Sequence, residues 1–284
     1  NVKINSGTTG FEAKKIIPLI NETKSGYKFA VSGSIDPYTI DRERVPYMKS
    51  IYKQPYIKLD KNLLADSKIE FWSMPKIVVA GMTKRIEAYF SAEPLALGVG
   101  VYGIYDFSNF APKYILGLLN SKFLTYYLNI EFYDKHLAGG YLAINKSTLE
   151  QMPLVEAEDN DVAKMVSLVD EIIKSKVNLA SIIKNFQNYI ISQYMIEKAS
   201  NKLKNWYQLE FIDFTKELNK AIKKSGGLIL DEKVKFDLMS LFEEQKNKAQ
   251  SHKLKIDKTN NEIDAMVYEL YGLTKEEIKL IENS

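Results

Sequence analysis

The chain has 284 residues, 45% of them hydrophobic and 26% charged, with a formal net charge of +3 and no cysteine. That length suits two domains, the apolar fraction supplies a core for each, and no run nears the roughly 18 apolar residues of a membrane span. Disulfides and thiolate zinc sites are excluded, and His136 and His252 lie too far apart in sequence to suggest a ligand cluster. We therefore expect a cytoplasmic protein with no membrane attachment. The first residue is Asn1 and no basic-then-apolar leader follows, so further chain is expected upstream.

Texture changes near residue 155. Residues 1–155 hold 19 Lys and Arg against 14 Asp and Glu, whereas the remainder holds 20 against 22. The first part also carries 13 of the 18 tyrosines, and Pro153 is the last proline. Two domains, 1–155 and 156–284, follow from this division, with the basic surface in the first.

Taken in order, the first part reads as short extended runs divided by turns. Tyr27–Val31 precedes Ser32-Gly33-Ser34, Lys76–Ala80 precedes Gly81, and Arg85–Phe90 precedes Ser91 to Pro94. Residues 112–129 place Ile115, Leu116, Leu119, Phe123, Tyr126 and Tyr127 at helical spacing, with Pro112 suited to a first turn. Ser147 and Glu150 form a Ser-x-x-Glu capping box for a short helix that Pro153 ends. From 161 to about 200 neither glycine nor proline intervenes. Val162, Val169, Ile183 and Ile190 recur in heptad register, as do Met165, Ile172, Leu179 and Phe186, predicting a rod about 60 Å long. Helices are further expected over about 208–224, closed by Gly226-Gly227, then 231–255, 263–271 and 275–282. Gly272 stops the third of these, and Thr274 with Glu277 caps the last. The expected fold class is α+β: a mixed α/β domain, then an all-α bundle or coiled-coil hairpin.

Several motifs suggest chemistry that their context opposes. Gly98, Gly100 and Gly103 match the dinucleotide fingerprint, but Ile104 to Phe107 continue extended, whereas a phosphate-binding glycine turn bends straight into a helix. No two prolines are adjacent, so the Pro-Pro loop with which amino-group DNA methyltransferases hold a flipped base is excluded. Glu12 with Lys14, Glu22 with Lys24, and Asp231 with Lys233 supply the short part of a Mg²⁺ nuclease pattern, and in a chain this rich in Lys and Glu they read as surface charge. We expect no catalytic residue, cofactor site or metal site in this chain.

One ordered set of short motifs carries a resemblance. Gly7-Thr8-Thr9-Gly10, Pro75 to Val79, Tyr114 to Ser121 with its Leu-Asn-Ser ending, Gly140-Tyr141 with Leu149 to Leu154, and Glu262 to Glu277 occur in that order. Together they resemble the TaqI-like C-terminal specificity domain of adenine-specific DNA methyltransferases and type IIG restriction-modification enzymes. The resemblance implies a target-recognition domain for double-stranded DNA. Its partner would be an upstream methyltransferase domain or a separate subunit. S-adenosylmethionine and Mg²⁺ would belong only to those catalytic domains, and the helical part would serve as spacer or docking arm.

Phosphate contacts need Lys and Arg, while base edges are read by Arg, Lys, Asn, Gln or Thr on well-held loops. The candidate DNA-binding residues are thus Thr8, Thr9, Arg42, Arg44, Lys49, Lys84, Arg85, Lys135 and His136. Two alternatives stay open at this point: a specificity subunit or half-subunit of a type I restriction system, and a protein-interaction scaffold that binds no DNA.

Overall fold

The computed structural model describes residues 2–132 and 140–284. The strands, in chain order, are β1 (Lys3–Ser6), β2 (Ile20–Asn21), β3 (Tyr27–Ala30), β4 (Ile35–Asp36), β5 (Thr39–Ile40), β6 (Val45–Tyr47), β7 (Ser50–Tyr52), β8 (Tyr56–Ile57), β9 (Lys76–Ala80), β10 (Met82–Thr83), β11 (Ala88–Ser91), β12 (Leu95–Leu97), β13 (Val101–Tyr105) and β14 (Leu142–Ala143). The helices are α1 (Asp66–Ser73), α2 (Pro112–Leu119), α3 (Lys122–Glu131), α4 (Lys146–Glu150), α5 (Asp159–Gln193), α6 (Asn201–Lys204), α7 (Phe211–Lys224), α8 (Glu232–Leu270) and α9 (Lys275–Glu282). The fold is α+β, a mixed sheet region followed by long helices. By internal packing it divides into two compact units, residues 1–170 with 260–284, and residues 171–259.

The first unit is organised around β9, whose β-branched Ile77, Val78 and Val79 are fully buried. This strand is central in an antiparallel sheet of order β1-β13-β9-β11. A second sheet, β12-β3-β8-β2, joins β12 to β3 in parallel and the rest antiparallel. Phe71 and Trp72 of α1 share one core with Val78 and Ala80 of the first sheet and Phe29, Leu95 and Leu97 of the second. Gly103 permits this approach, because a Cβ there would lie 2.6 Å from the Phe71 ring.

Lys76 opens β9 completely buried, with only backbone acceptors for its ammonium among the described residues. It donates to the carbonyls of Trp72 (2.8 Å) and Met74 (2.6 Å), satisfying acceptors at the end of α1. Burial pulls its pKa down to about 8.

The expected helix over 112–129 is two helices. Asn120 ends α2, and its side chain leaves the helix to bond the backbone of Ala88, accepting from its N–H and donating to its carbonyl, each at 3.0 Å. Ser121 then caps α3 by accepting from the Leu124 N–H at 3.2 Å. Asp264 of α8 adds a second cap by accepting from the Lys122 N–H at 2.8 Å. Another difference concerns α4, where Asn145 and Thr148 form the capping box in place of Ser147 and Glu150. The extended run expected from Arg85 starts only at Ala88, since the Ile86 N–H is taken by the Thr125 hydroxyl at 3.1 Å. Tyr114 and Tyr271 donate to the carbonyls of Val155 and Pro153, fixing the segment that leads into α5.

The heptad rod is α5, 35 residues long and ending at Gln193 instead of near 200. Its Met165, Val169 and Ile172 are buried, and Met165 packs where Gly117 of α2 leaves no room for a Cβ. The expected pair 231–255 and 263–271 is one helix, α8. Asn260, Asn261 and Thr259 are weak helix formers, yet Ile256, Thr259, Ile263 and Val267 keep a buried stripe through them. In the second unit α5 and α8 run antiparallel: Lys255 pairs with Glu171 at 2.5 Å, and Phe186 lies 6.3 Å from Phe242. The core there is aromatic, with Phe214 stacked on Phe242 at 4.6 Å and Trp206 4.2 Å from Phe186. The box of Thr274 with Glu277 and the left-handed Gly272 are where the sequence predicts them.

Candidate nucleic-acid interface

The turn after β1 is docked tightly on the sheets. The Gly7 N–H donates to the Val101 carbonyl at 2.7 Å, and a Cβ at Gly7 would meet Leu97 Cβ at 2.4 Å. Thr8 is buried and its hydroxyl donates to the Leu97 carbonyl at 2.6 Å, so this side chain holds the turn in place. Thr9 is exposed, and both its N–H and hydroxyl donate to the Glu12 carboxylate. Glu12 also pairs with Lys68 at 2.9 Å, and Lys68 donates to the Gly7 carbonyl. These bonds hold the Glu12 carboxyl below its ordinary range despite partial burial, which opposes them.

Arg42, Arg44 and Lys49 fall on or beside the β6–β7 hairpin but in different environments. Arg42 is half-buried and donates through Nε to the Phe29 carbonyl (3.0 Å) and through its terminal nitrogen to the Pro55 carbonyl, with its guanidinium 5.0 Å over the Tyr56 ring. Burial lowers its pKa, and its role is to tie the ends of β3 and β8 together. Arg44 and Lys49 are exposed, without an ion-pair partner among the described residues. In the hairpin, Val45 and Tyr47 point inward, whereas Pro46 and Ile51, paired across it, face out. The turn itself carries Met48 at φ 53° and Lys49. Tyr47 donates from its hydroxyl to the Ala13 carbonyl at 3.0 Å, bringing the hairpin against the segment that carries Thr8 and Thr9. Burial pushes the Tyr47 phenol up to about 12, so it remains a donor at any ordinary pH.

Lys84 and Arg85 form a second basic turn, between β10 and β11. The Thr83 hydroxyl donates to the Arg85 carbonyl and closes the turn, leaving both long side chains exposed. β10 pairs with β14, which puts the Lys84 ammonium 5.7 Å from the centre of the Tyr141 ring. Arg85 approaches Glu87 only at 3.9 Å, a weak exposed pair. Lys135 and His136 lie outside the described residues. The structure thus joins Arg44 and Lys49 to the Thr9 segment through Tyr47, sets Lys84 and Arg85 in a separate turn, and commits Thr8 and Arg42 to internal bonds. It also exposes a residue that composition and spacing do not single out, Phe11, at 94%.

The motifs that suggested chemistry have structural partners. After Gly98 to Gly103 the chain stays extended to Tyr105, and Gly100 takes φ 72° between β12 and β13, so the run lacks the strand-to-helix turn of a phosphate-binding fingerprint. Glu22 accepts from the Lys53 N–H at 2.6 Å, and Asp231 accepts from the Val234 N–H at 2.8 Å at the start of α8. Among the described residues no three His, Asp or Glu groups converge as metal ligands, and no helix is long and apolar enough to cross a membrane.

Comparison with known families identifies one segment of this scaffold. The family model of the TaqI-like C-terminal specificity domain matches residues 34–154. That segment is a TaqI-like specificity domain. It contains Arg44, Lys49, Lys84 and Arg85, while the Gly7 to Gly10 turn precedes the matched span. A second model, a domain of unknown function (DUF8810), matches residues 158–267, the region of α5 to α8. Among solved structures, the type IIL restriction-modification enzyme MmeI in complex with DNA aligns at 11% identity with a TM-score of 0.39. The alignment covers 88% of this chain and 36% of that one, so this chain spans about a third of that enzyme's length. No curated protein matches.

Proposed function

We propose that this chain reads a short sequence in double-stranded DNA as the target-recognition part of a restriction-modification enzyme. The observation that carries this reading is the specificity-domain match over residues 34–154, within which four cations are exposed: Lys49 on the β6–β7 turn, Arg44 just before β6, and Lys84 with Arg85 on the turn between β10 and β11. Cations on rigid turns suit both phosphate contact and base-edge reading, because Arg and Lys supply charge and, for guanine, a donor pair matched to O6 and N7. The chemistry of modification lies elsewhere in this reading: an adenine-specific methyltransferase domain would bind S-adenosylmethionine, and any fused nuclease would bind Mg²⁺, both outside these 284 residues. A protein with this work acts in the cytoplasm, where the DNA is. The DUF8810 region, built from long helices, serves as the arm through which the recognition domain is held to its catalytic partner.

The test is selection of duplexes from a randomised pool by the 284-residue chain, followed by titration of the selected duplex at several salt concentrations. Enrichment of one short motif, bound with an affinity that falls steeply with salt, is the expected result. Equal binding to all duplexes, or none, overturns the reading. Replacing Lys84 and Arg85 together by Ala should shallow the salt dependence by about one counterion for each phosphate that these side chains neutralise.

A further inference from the structure

Phe11 is the most exposed aromatic ring among the described residues of the first unit, and the backbone around it explains why it cannot turn inward. Residues 9–17 form consecutive tight turns, with the Glu12 N–H on the Thr9 carbonyl (3.1 Å), the Lys15 and Ile16 N–H groups on the Glu12 carbonyl (2.9 and 3.3 Å), and the Ile17 N–H on the Lys14 carbonyl (3.4 Å). In such turns residues three and four apart share a face. Ala13 and Ile16 take the inner face and are buried, which leaves Phe11, Lys14 and Lys15 together on the outer one. Glu12 is the single acid of this segment, and its carboxylate is drawn in by Thr9 and Lys68. Beyond Thr9, the exposed side chains of these turns are therefore one phenyl ring and two ammonium groups, and the partly exposed Glu12 carboxylate is engaged by Thr9 and Lys68. Its position is fixed from two sides, by Tyr47 on the Ala13 carbonyl and by Lys68 on the Gly7 carbonyl.

We propose that Phe11 is an aromatic wedge that stacks against a base or base step of the bound duplex, with Lys14 and Lys15 on flanking phosphates. A rigid apolar ring with two lysines exposed beside it in the same turns, and the neighbouring Glu12 carboxylate engaged by Thr9 and Lys68, matches a polyanion whose interior offers flat apolar faces, and apolar side chains inserted at base steps are a recurrent way of gripping and kinking DNA. A protein partner of the same site would have to pair acidic groups with an apolar hollow. This inference rests on the DNA-recognition reading above and adds an interaction outside the matched specificity segment.

The test places 2-aminopurine, one position at a time, along the duplex that the wild-type chain selects, and compares wild type with Phe11→Ala and Phe11→Leu. Wild type should raise the fluorescence at one position, where stacking is broken. Phe11→Ala should abolish that rise and weaken binding about tenfold, with Leu intermediate. An unchanged melting temperature, expected of so exposed a side chain, confirms that the variants are folded. If wild type selects no duplex, the functional reading fails and takes the wedge with it. If wild type binds but Phe11→Ala binds equally well with the same fluorescence pattern, the wedge alone is overturned.

Discussion

The Tyr47 hydroxyl reaches the carbonyl of Ala13, 34 residues earlier in the chain, at 3.0 Å. This one bond fastens the hairpin of Arg44 and Lys49 to the segment of Thr9 and Phe11. The Tyr47 ring is also packed edge-on to Phe29 at 5.1 Å, so removing only the hydroxyl isolates the bond. Tyr47→Phe should cost about 1–2 kcal/mol, the penalty for leaving a buried carbonyl unpaired, read as a lower denaturant midpoint at unchanged slope. On the proposed function DNA affinity should fall as well, because two candidate contact loops no longer share this bond.

Arg42 and Arg44 are two residues apart and should respond in opposite ways. Arg42→Ala removes donors to two backbone carbonyls, and a drop on the order of 2 kcal/mol in unfolding free energy is expected. Lysine should not rescue it, since a single ammonium cannot reproduce the guanidinium fork. Arg44→Ala should leave stability within about 0.5 kcal/mol while reducing DNA affinity. Thermal unfolding and DNA titration of both variants separate the two roles.

Asn120 acts on Ala88, 32 residues away, with both ends of its amide. Asn120→Ala should destabilise by about 1–3 kcal/mol, and Asn120→Asp should do little better, since it keeps the acceptor and loses the donor. Hydrogen exchange at the Ala88 amide should quicken in both.

Asp264 gives a pH dependence with a definite sign. Burial, partly offset by the backbone bond and the charge of Lys122, raises its carboxyl to about 6 from an ordinary value near 3.8. The folded state therefore holds a proton more firmly than the unfolded one. The resulting stabilisation is fully present below the unfolded value and is lost as pH rises through about 6. Asp264→Asn keeps an acceptor for the Lys122 N–H and should flatten the stability profile between about pH 4 and 6. Urea unfolding at pH steps across that window measures it.

What could be read from the sequence followed the range of the signal. Lys76 to Ala80 and the Thr274 box are local patterns, and they fold as read, whereas the extended run expected from Ile104 to Phe107 stops at Tyr105 because Asp106 takes φ 55°. The break at Asn120 depends on Ala88, and the unbroken course of α8 through Asn260 depends on a buried stripe that tertiary packing rewards; neither is visible in a short window. The specificity domain was legible from Pro75 to Val79, Tyr114 to Ser121 and Gly140 to Leu154, three motifs in order inside the matched residues 34–154. The DNA-binding candidates were legible only by type: nothing local distinguishes buried Thr8 from exposed Thr9, or Arg42 under its carbonyl bonds from Arg44. Phe11 escapes notice in sequence because an aromatic at helical spacing is more often core, though Ala13 and Ile16 already fill the inner face of its turn.

Ala88 begins β11, the outermost strand of the first sheet, where unpaired N–H and carbonyl groups invite another chain to add on. Asn120 and the Tyr38 N–H occupy those groups at the strand's first rung, the latter at 2.8 Å. A side chain thus stands in for a missing fifth strand. The residue that ends a helix thus also helps to close an open sheet edge, and it shares that first rung with the turn between β4 and β5 that carries Tyr38.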